Sequence, residues 1–181
     1  MNIPRPEGPK TNLLFFTTAW LAASLLAGQS LGWMGGLTAL VIVVLHIILC
    51  QARTAEIKTL LMVAILGSAW ESLMVNQGWI HYLGSVHPSV IPGWLMAAWL
   101  AFAMTLNHGL ATLKAHPIGA GVIGALCAPL AWYGALELGA LEMADPLETL
   151  LIISISWLFL LPIFLKIANH YLPLEPSPKG R

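Results

Sequence analysis

Gly35-Gly36-Leu37-Thr38-Ala39-Leu40-Val41-Ile42-Val43-Val44-Leu45-His46-Ile47-Ile48-Leu49-Cys50 is the stretch on which the fold turns. Residues 34–51 are almost wholly aliphatic. A helix needs about 20 mostly apolar residues to cross a hydrocarbon core about 30 Å thick, and this run meets that requirement. Five more segments qualify or nearly so: 12–30, 57–76, 92–113, 117–140 and 147–169. Composition agrees with a membrane chain: 58% of the 181 residues are hydrophobic and 9% charged, too few charges to coat a water-exposed surface.

The expected fold is therefore all-α, a polytopic membrane protein built as a bundle of six transmembrane helices. Orientation follows from charge. The eight basic residues, among them Arg53, Lys58, Lys114 and Lys166, all fall on one side of these six spans. The positive-inside rule makes that side cytoplasmic, with both termini in. The acidic loop with Glu142, Asp145 and Glu148 falls outside, as does loop 77–91. Residues 1–11 read as a cytoplasmic segment, 12–171 as the transmembrane domain and 172–181 as a flexible cytoplasmic tail. The first apolar run lacks a convincing A-x-A site and reads as an uncleaved helix. Trp33, Trp79 and Trp94 fall where an outer aromatic belt would form. Net charge is zero, so no nucleic-acid partner is expected.

Small residues mark close helix contacts in lipid. Gly124, Ala128, Ala131, Ala135 and Gly139 put helix 5 at the centre of the bundle, with Ala19, Ala23 and Ala27 on helix 1 and Ala97 and Ala101 on helix 4 as further contact stripes. Pro129 and Pro162 are expected to kink helices 5 and 6.

Two constellations carry chemistry. Glu71 lies deep in helix 3, where an ionisable group must face the bundle interior or water. Trp70, Trp99 and Tyr133 fall near its depth, and Glu137 lies nearer the outer surface. With Ser72 and Asn76 these residues suit an aromatic pocket with a titrating carboxylate, or a protonated Glu71 that only bonds a neighbouring helix. Near the cytoplasmic face Asn107 and His108 match the depth of His46, with Asn12, Asn169, His116 and His170 nearby in projection. These read as an interhelical polar cluster, the likeness being to hydrogen-bonded glue or a proton relay. Membrane oxygenases need dense HxxxH or HxxHH boxes, which are absent, so no metal and no cofactor is expected. Cys50 and Cys127 read as small buried hydrophobes. Five tryptophans inside helices, Trp20, Trp70, Trp99, Trp132 and Trp157, suit core packing or an aromatic cavity for an acyl chain, a polyene or an organic cation.

Pro92-Gly93-Trp94-Leu95 followed by Trp99-Leu100-Ala101-Phe102-Ala103-Met104-Thr105-Leu106-Asn107-His108 resembles a signature of the bacterial inner-membrane family called domain of unknown function 2878. Pro129-Leu130-Ala131-Trp132-Tyr133-Gly134 with Leu138-Gly139-Ala140 is similar to its second signature, and Asn12, Trp20 and His46 match further positions. Ala128 and Glu71 depart from its usual Gly and Asp. The resemblance implies the bacterial inner membrane and leans toward lipid chemistry; it supplies no activity.

Three readings follow. The first is an inner-membrane protein handling or helping to modify a lipid or fatty-acyl substrate; the second is a proton-coupled transporter using Glu71; the third is a non-catalytic subunit with a membrane-protein partner or a second copy of itself. Whether the chain is an enzyme stays open. A laterally open cavity would favour the first, a continuous polar path the second and tight packing throughout the third.

Overall fold

The computed structural model describes residues 8–87 and 90–174. Its order is α1 (Pro9–Gly28), α2 (Gly32–Leu49), α3 (Arg53–Asn76), β1 (Ile80–Tyr82), α4 (Gly93–Ala103), a short 3₁₀ helix (Ala111–Ala115), α5 (Pro117–Glu137), β2 (Leu141–Met143) and α6 (Pro146–Tyr171). The chain is an all-α bundle, and five of its helices are long and apolar enough to cross a membrane. Large apolar side chains point outward all round it: Leu14, Ile65, Leu126, Leu130 and Phe159 are each more than 60% exposed. Such a surface suits lipid and not water. The basic residues expected at 5, 179 and 181, and most of the tail expected at 172–181, lie outside the described residues.

The span expected at 92–113 is not one helix. α4 has 11 residues, about 16 Å at 1.5 Å per residue, roughly half the hydrocarbon thickness. The chain then turns through 104–110 on i→i+3 bonds such as Leu106 N–H to Ala103 C=O at 3.2 Å, and ends in the 3₁₀ helix. Lys114 in that helix reaches the Leu172 carbonyl beside the end of α6, so the broken segment still runs from one end of the bundle to the other.

α4, not α5, is the centre. Seven of its residues are buried, among them Trp94, Trp99 and Ala101, and it packs on α1, α2 and α3. The expected centrality of helix 5 fails because its close packing is mainly against α6: a Cβ on Gly121 would lie 2.6 Å from the Leu158 carbonyl oxygen, and one on Gly124 2.6 Å from that of Trp157, while Ala128 and Ala131 border a cavity and Gly139 meets Gly28 of α1. The stripes on helices 1 and 4 are buried, with Ala19, Ala23 and Ala101 fully so.

A two-stranded antiparallel ribbon, unforeseen in the sequence, pairs Ile80 with Met143 and Tyr82 with Leu141. It seats Tyr82 over the end of the bundle. Trp94 is not a belt residue: it is buried, and its indole N–H donates to the Leu83 carbonyl at 2.9 Å.

Candidate functional site

Glu56 is the hub of a buried polar cluster at the basic end. α2 carries His46 one turn from its C-terminus, α3 begins at Arg53 and places Glu56 one turn in, and the unwound stretch after α4 supplies Asn107 and His108. His46 Nε2 lies 3.0 Å from Glu56 Oε1 and His108 Nε2 lies 3.3 Å from the same oxygen. The two imidazole rings meet edge to face with centroids 5.0 Å apart. Asn107 donates from Nδ2 to the other carboxylate oxygen at 2.7 Å and to Thr59 Oγ1 at 3.3 Å. Lys114 donates to Asn107 Oδ1 at 2.7 Å. Burial lowers the Lys114 ammonium from its ordinary value, opposed by the charge of Glu56. Cys50 closes the group: His46, Cys50, Glu56 and His108 offer donor atoms that all lie within 4.8 Å of one another.

Asn12 stands beside this cluster and holds the break in helix 4. Its Nδ2 donates to the Met104 carbonyl at 3.1 Å, and its Oδ1 accepts from the Gly109 N–H at 3.2 Å. Non-helical backbone at membrane depth is tolerated where protein satisfies it, and Asn12 does so from α1.

Glu71 is fully buried and points into the bundle. Trp132 Nε1 donates to Tyr82 Oη at 2.9 Å, and Tyr82 donates to Glu71 Oε2 at 2.5 Å. Burial first, and the nearby Glu71 second, hold the Tyr82 phenol well above its ordinary value, so it stays a donor. Glu71 Oε1 and Trp99 Nε1 are buried without a hydrogen-bond partner. Trp70 is half-buried on the same helix; Tyr133 and Glu137 are exposed on α5 and pair with each other, away from Glu71. Ser72 and Asn76 line no pocket with Glu71: each bonds the carbonyl one turn back in its own helix, Ser68 and Ser72 respectively. Glu56 and Glu71 are 15 positions apart on α3, about 22 Å. Buried Val63, Ala64 and Gly67 separate them, with the Trp99 ring against Gly67, so among the described residues no continuous polar path joins the two carboxylates.

Between the two polar layers lies a cavity of about 220 Å³ walled by α1, α4, α5 and α6. Trp20, Trp99, Trp132, Trp157, Phe16 and Phe102 supply its aromatic walls. Trp99 and Trp157 stack at 5.9 Å and 15°, fixing one wall. α1 and α5 close on each other at their ends away from Glu56, where Gly28 abuts the Leu138 carbonyl and Trp20 lies 3.2 Å from a Cβ built on Gly134. Along the rest of these helices Leu13, Ile123 and Cys127 form an exposed rim.

Of the residues singled out in the sequence, the structure brings together His46, Asn107 and His108, with Asn12 adjoining. His116 and His170 are exposed and stand apart, and Asn169 accepts from its own C-terminal backbone at Leu174. Glu56, Thr59, Lys114 and Tyr82 were missed as partners. Starting helix 3 at 57 left Glu56 in a loop beside Arg53, where an acid reads as solvated. The available signal was depth, since a helix begun at Arg53 puts Glu56 level with His46.

Outward apolar faces, a broken central helix and buried polar layers define a polytopic α-helical membrane protein. Within that class, the chain belongs to the family described as protein of unknown function DUF2878, whose model matches residues 10–163 and so takes in both polar layers and the cavity. No curated protein and no solved structure matches the chain.

Proposed function

We propose that this is a multi-pass protein of the bacterial inner membrane, with both termini in the cytoplasm, that binds the apolar chain of a membrane lipid or fatty acid. One observation carries the reading: the aromatic cavity between α1 and α5, whose rim of Leu13, Ile123 and Cys127 faces the apolar surroundings of the bundle. Its lining is apolar apart from the Thr105 hydroxyl, the Cys127 thiol and indole N–H groups, so a polar solute would lose hydration without compensation. At about 220 Å³ it falls below the roughly 300–1,000 Å³ of pockets for drug-sized ligands, and suits part of one acyl chain, not a whole lipid. The transporter reading draws less support, because an apolar layer separates Glu71 from Glu56.

The test is photo-crosslinking in nanodiscs with a diazirine-bearing fatty acid. The expected outcome is saturable labelling of Trp20 and Thr105, competed by unlabelled fatty acid and abolished in Ala131→Trp, which fills the cavity. Labelling that rises linearly with probe and is indifferent to Ala131→Trp would refute the reading. Orientation is tested separately: a cysteine engineered at exposed Val86 should react with an impermeant reagent added outside, and one at exposed Gln51, between α2 and α3, should not.

A further inference from the structure

We propose that His46, Cys50, Glu56 and His108 form a four-ligand site for a divalent transition-metal ion, zinc by the chemistry of its donors. This goes beyond lipid binding, does not rest on it, and departs from the sequence expectation of no metal.

The donor set is the first support. One thiol, two imidazoles and one carboxylate are the ligand types of zinc sites, and a thiolate disfavours magnesium and calcium. Tetrahedral bonds of about 2.0–2.3 Å place neighbouring donors about 3.3–3.8 Å apart. His46 Nε2 and His108 Nε2 already stand 3.0 and 3.3 Å from Glu56 Oε1, and all four donors fall within 4.8 Å. Closing such a set round an ion takes shifts of an ångström or less.

The second support is convergence. His46 Nε2 and His108 Nε2 both crowd the one oxygen Glu56 Oε1, at 3.0 and 3.3 Å, and the His108 contact meets no hydrogen-bond geometry, so its ring nitrogen is placed to turn its lone pair to an ion between them. The third support is charge. Thiolate and carboxylate carry two negative charges, two neutral imidazoles none, so a divalent ion makes the buried site neutral. The fourth is the outer shell. Asn107 holds Glu56 Oε2 at 2.7 Å and is itself held by Lys114, which leaves Oε1 turned toward the histidines.

Four protein ligands leave no open position, so the site is structural in kind. It would tie the end of α2, the start of α3 and the unwound segment after α4 at one point.

The experiment uses the full chain purified with its tag removed. Metal content is read by mass spectrometry, and a metal-free sample is titrated with Zn(II) and with Co(II). The expected result is about one equivalent per chain with the near-ultraviolet charge-transfer band of a cobalt–thiolate bond. Cys50→Ser and His108→Gln should weaken zinc by more than the roughly 10–100-fold that losing an outer-shell partner costs, and Asn107→Ala by about that amount. A folded chain that takes up neither ion overturns the proposal. So does stoichiometric binding that Cys50→Ser leaves unchanged. If the variants lose helical content, the wild-type cobalt spectrum decides: bound cobalt without a thiolate band also overturns it.

Discussion

Replacing Asn12 with alanine removes one side chain and unpins the break in the central helix. Asn12 is fully buried and joins two backbone groups more than 90 positions away, the Met104 carbonyl and the Gly109 N–H. Two scales bracket the loss. Interhelical hydrogen bonds in membranes average about 0.6 kcal/mol, so two give about 1.2 kcal/mol where the freed groups find new partners. A buried polar group left unpaired costs about 1–3 kcal/mol, so two give about 2–6 kcal/mol where they do not. Met104 is fully buried and the stretch around it has already spent its neighbouring carbonyls on i→i+3 bonds, so the expected loss is about 2–4 kcal/mol, within the orphaned range. Asn12→Asp keeps the acceptor for Gly109 but sets a carboxyl group against the Met104 carbonyl, and should be no better. Detergent-driven unfolding in bicelles measures the loss, and hydrogen exchange of the 104–110 peptide shows where it falls. A change below about 0.5 kcal/mol, with exchange at 104–110 unaltered, would refute the reasoning, because the smaller scale alone requires twice that.

Three further substitutions test the packing. Gly67→Ala drives a Cβ into the Trp99 ring, and should cost about 1–3 kcal/mol and shift tryptophan emission; an unshifted spectrum at full stability would show that the contact is slack. Gly124→Leu meets the Trp157 carbonyl and should part α5 from α6, lowering the midpoint of thermal unfolding, whereas Leu126→Ile, on the exposed face of the same helix, should leave it in place. Tyr82→Phe removes the hydroxyl between Trp132 and Glu71 and should destabilise by about 1–3 kcal/mol, non-additively with Trp132→Phe in a double-mutant cycle; strict additivity would mean the two bonds are independent.

The helical fold was legible because lipid imposes strict demands on sequence: long apolar runs and small-residue stripes at four-residue spacing. Residues 34–51 and the alanines of α1 needed nothing else. Segment 92–113 misled because hydropathy is blind to backbone geometry. Thr105, Asn107, His108 and Gly109 weaken the apolar run without marking where it breaks, and the group that satisfies the freed backbone is 92 positions away from Met104, at Asn12, which no local pattern encodes. Helix 5 was misplaced for a related reason: small residues announce a close approach without naming what approaches, and here the stripe is shared among α6 at Gly124, the cavity at Ala128 and Ala131, and α1 at Gly139. The ribbon that seats Tyr82 is three residues per strand, too short for alternation to stand out from loop.

The polar cluster was half legible, and its missing half explains the break. His46, Asn107 and His108 could be matched by depth, yet successive residues of an α-helix point about 100° apart, so a helical Asn107 and His108 could not both face one partner. In the structure both reach the same carboxylate, Asn107 at Oε2 and His108 beside Oε1. Only an unwound backbone allows that convergence. An unwound backbone in turn needs its freed groups satisfied, which Asn12 supplies from the other side. Break and cluster are thus one device. Asn12 makes the unwinding tolerable, the unwinding aims two adjacent side chains at Glu56, and Glu56 fastens them to His46 on α2. The intact α4 above the break is left free to set Trp99 and Phe102 in the wall of the cavity, so the geometry of the apolar site depends on polar contacts about two turns below it.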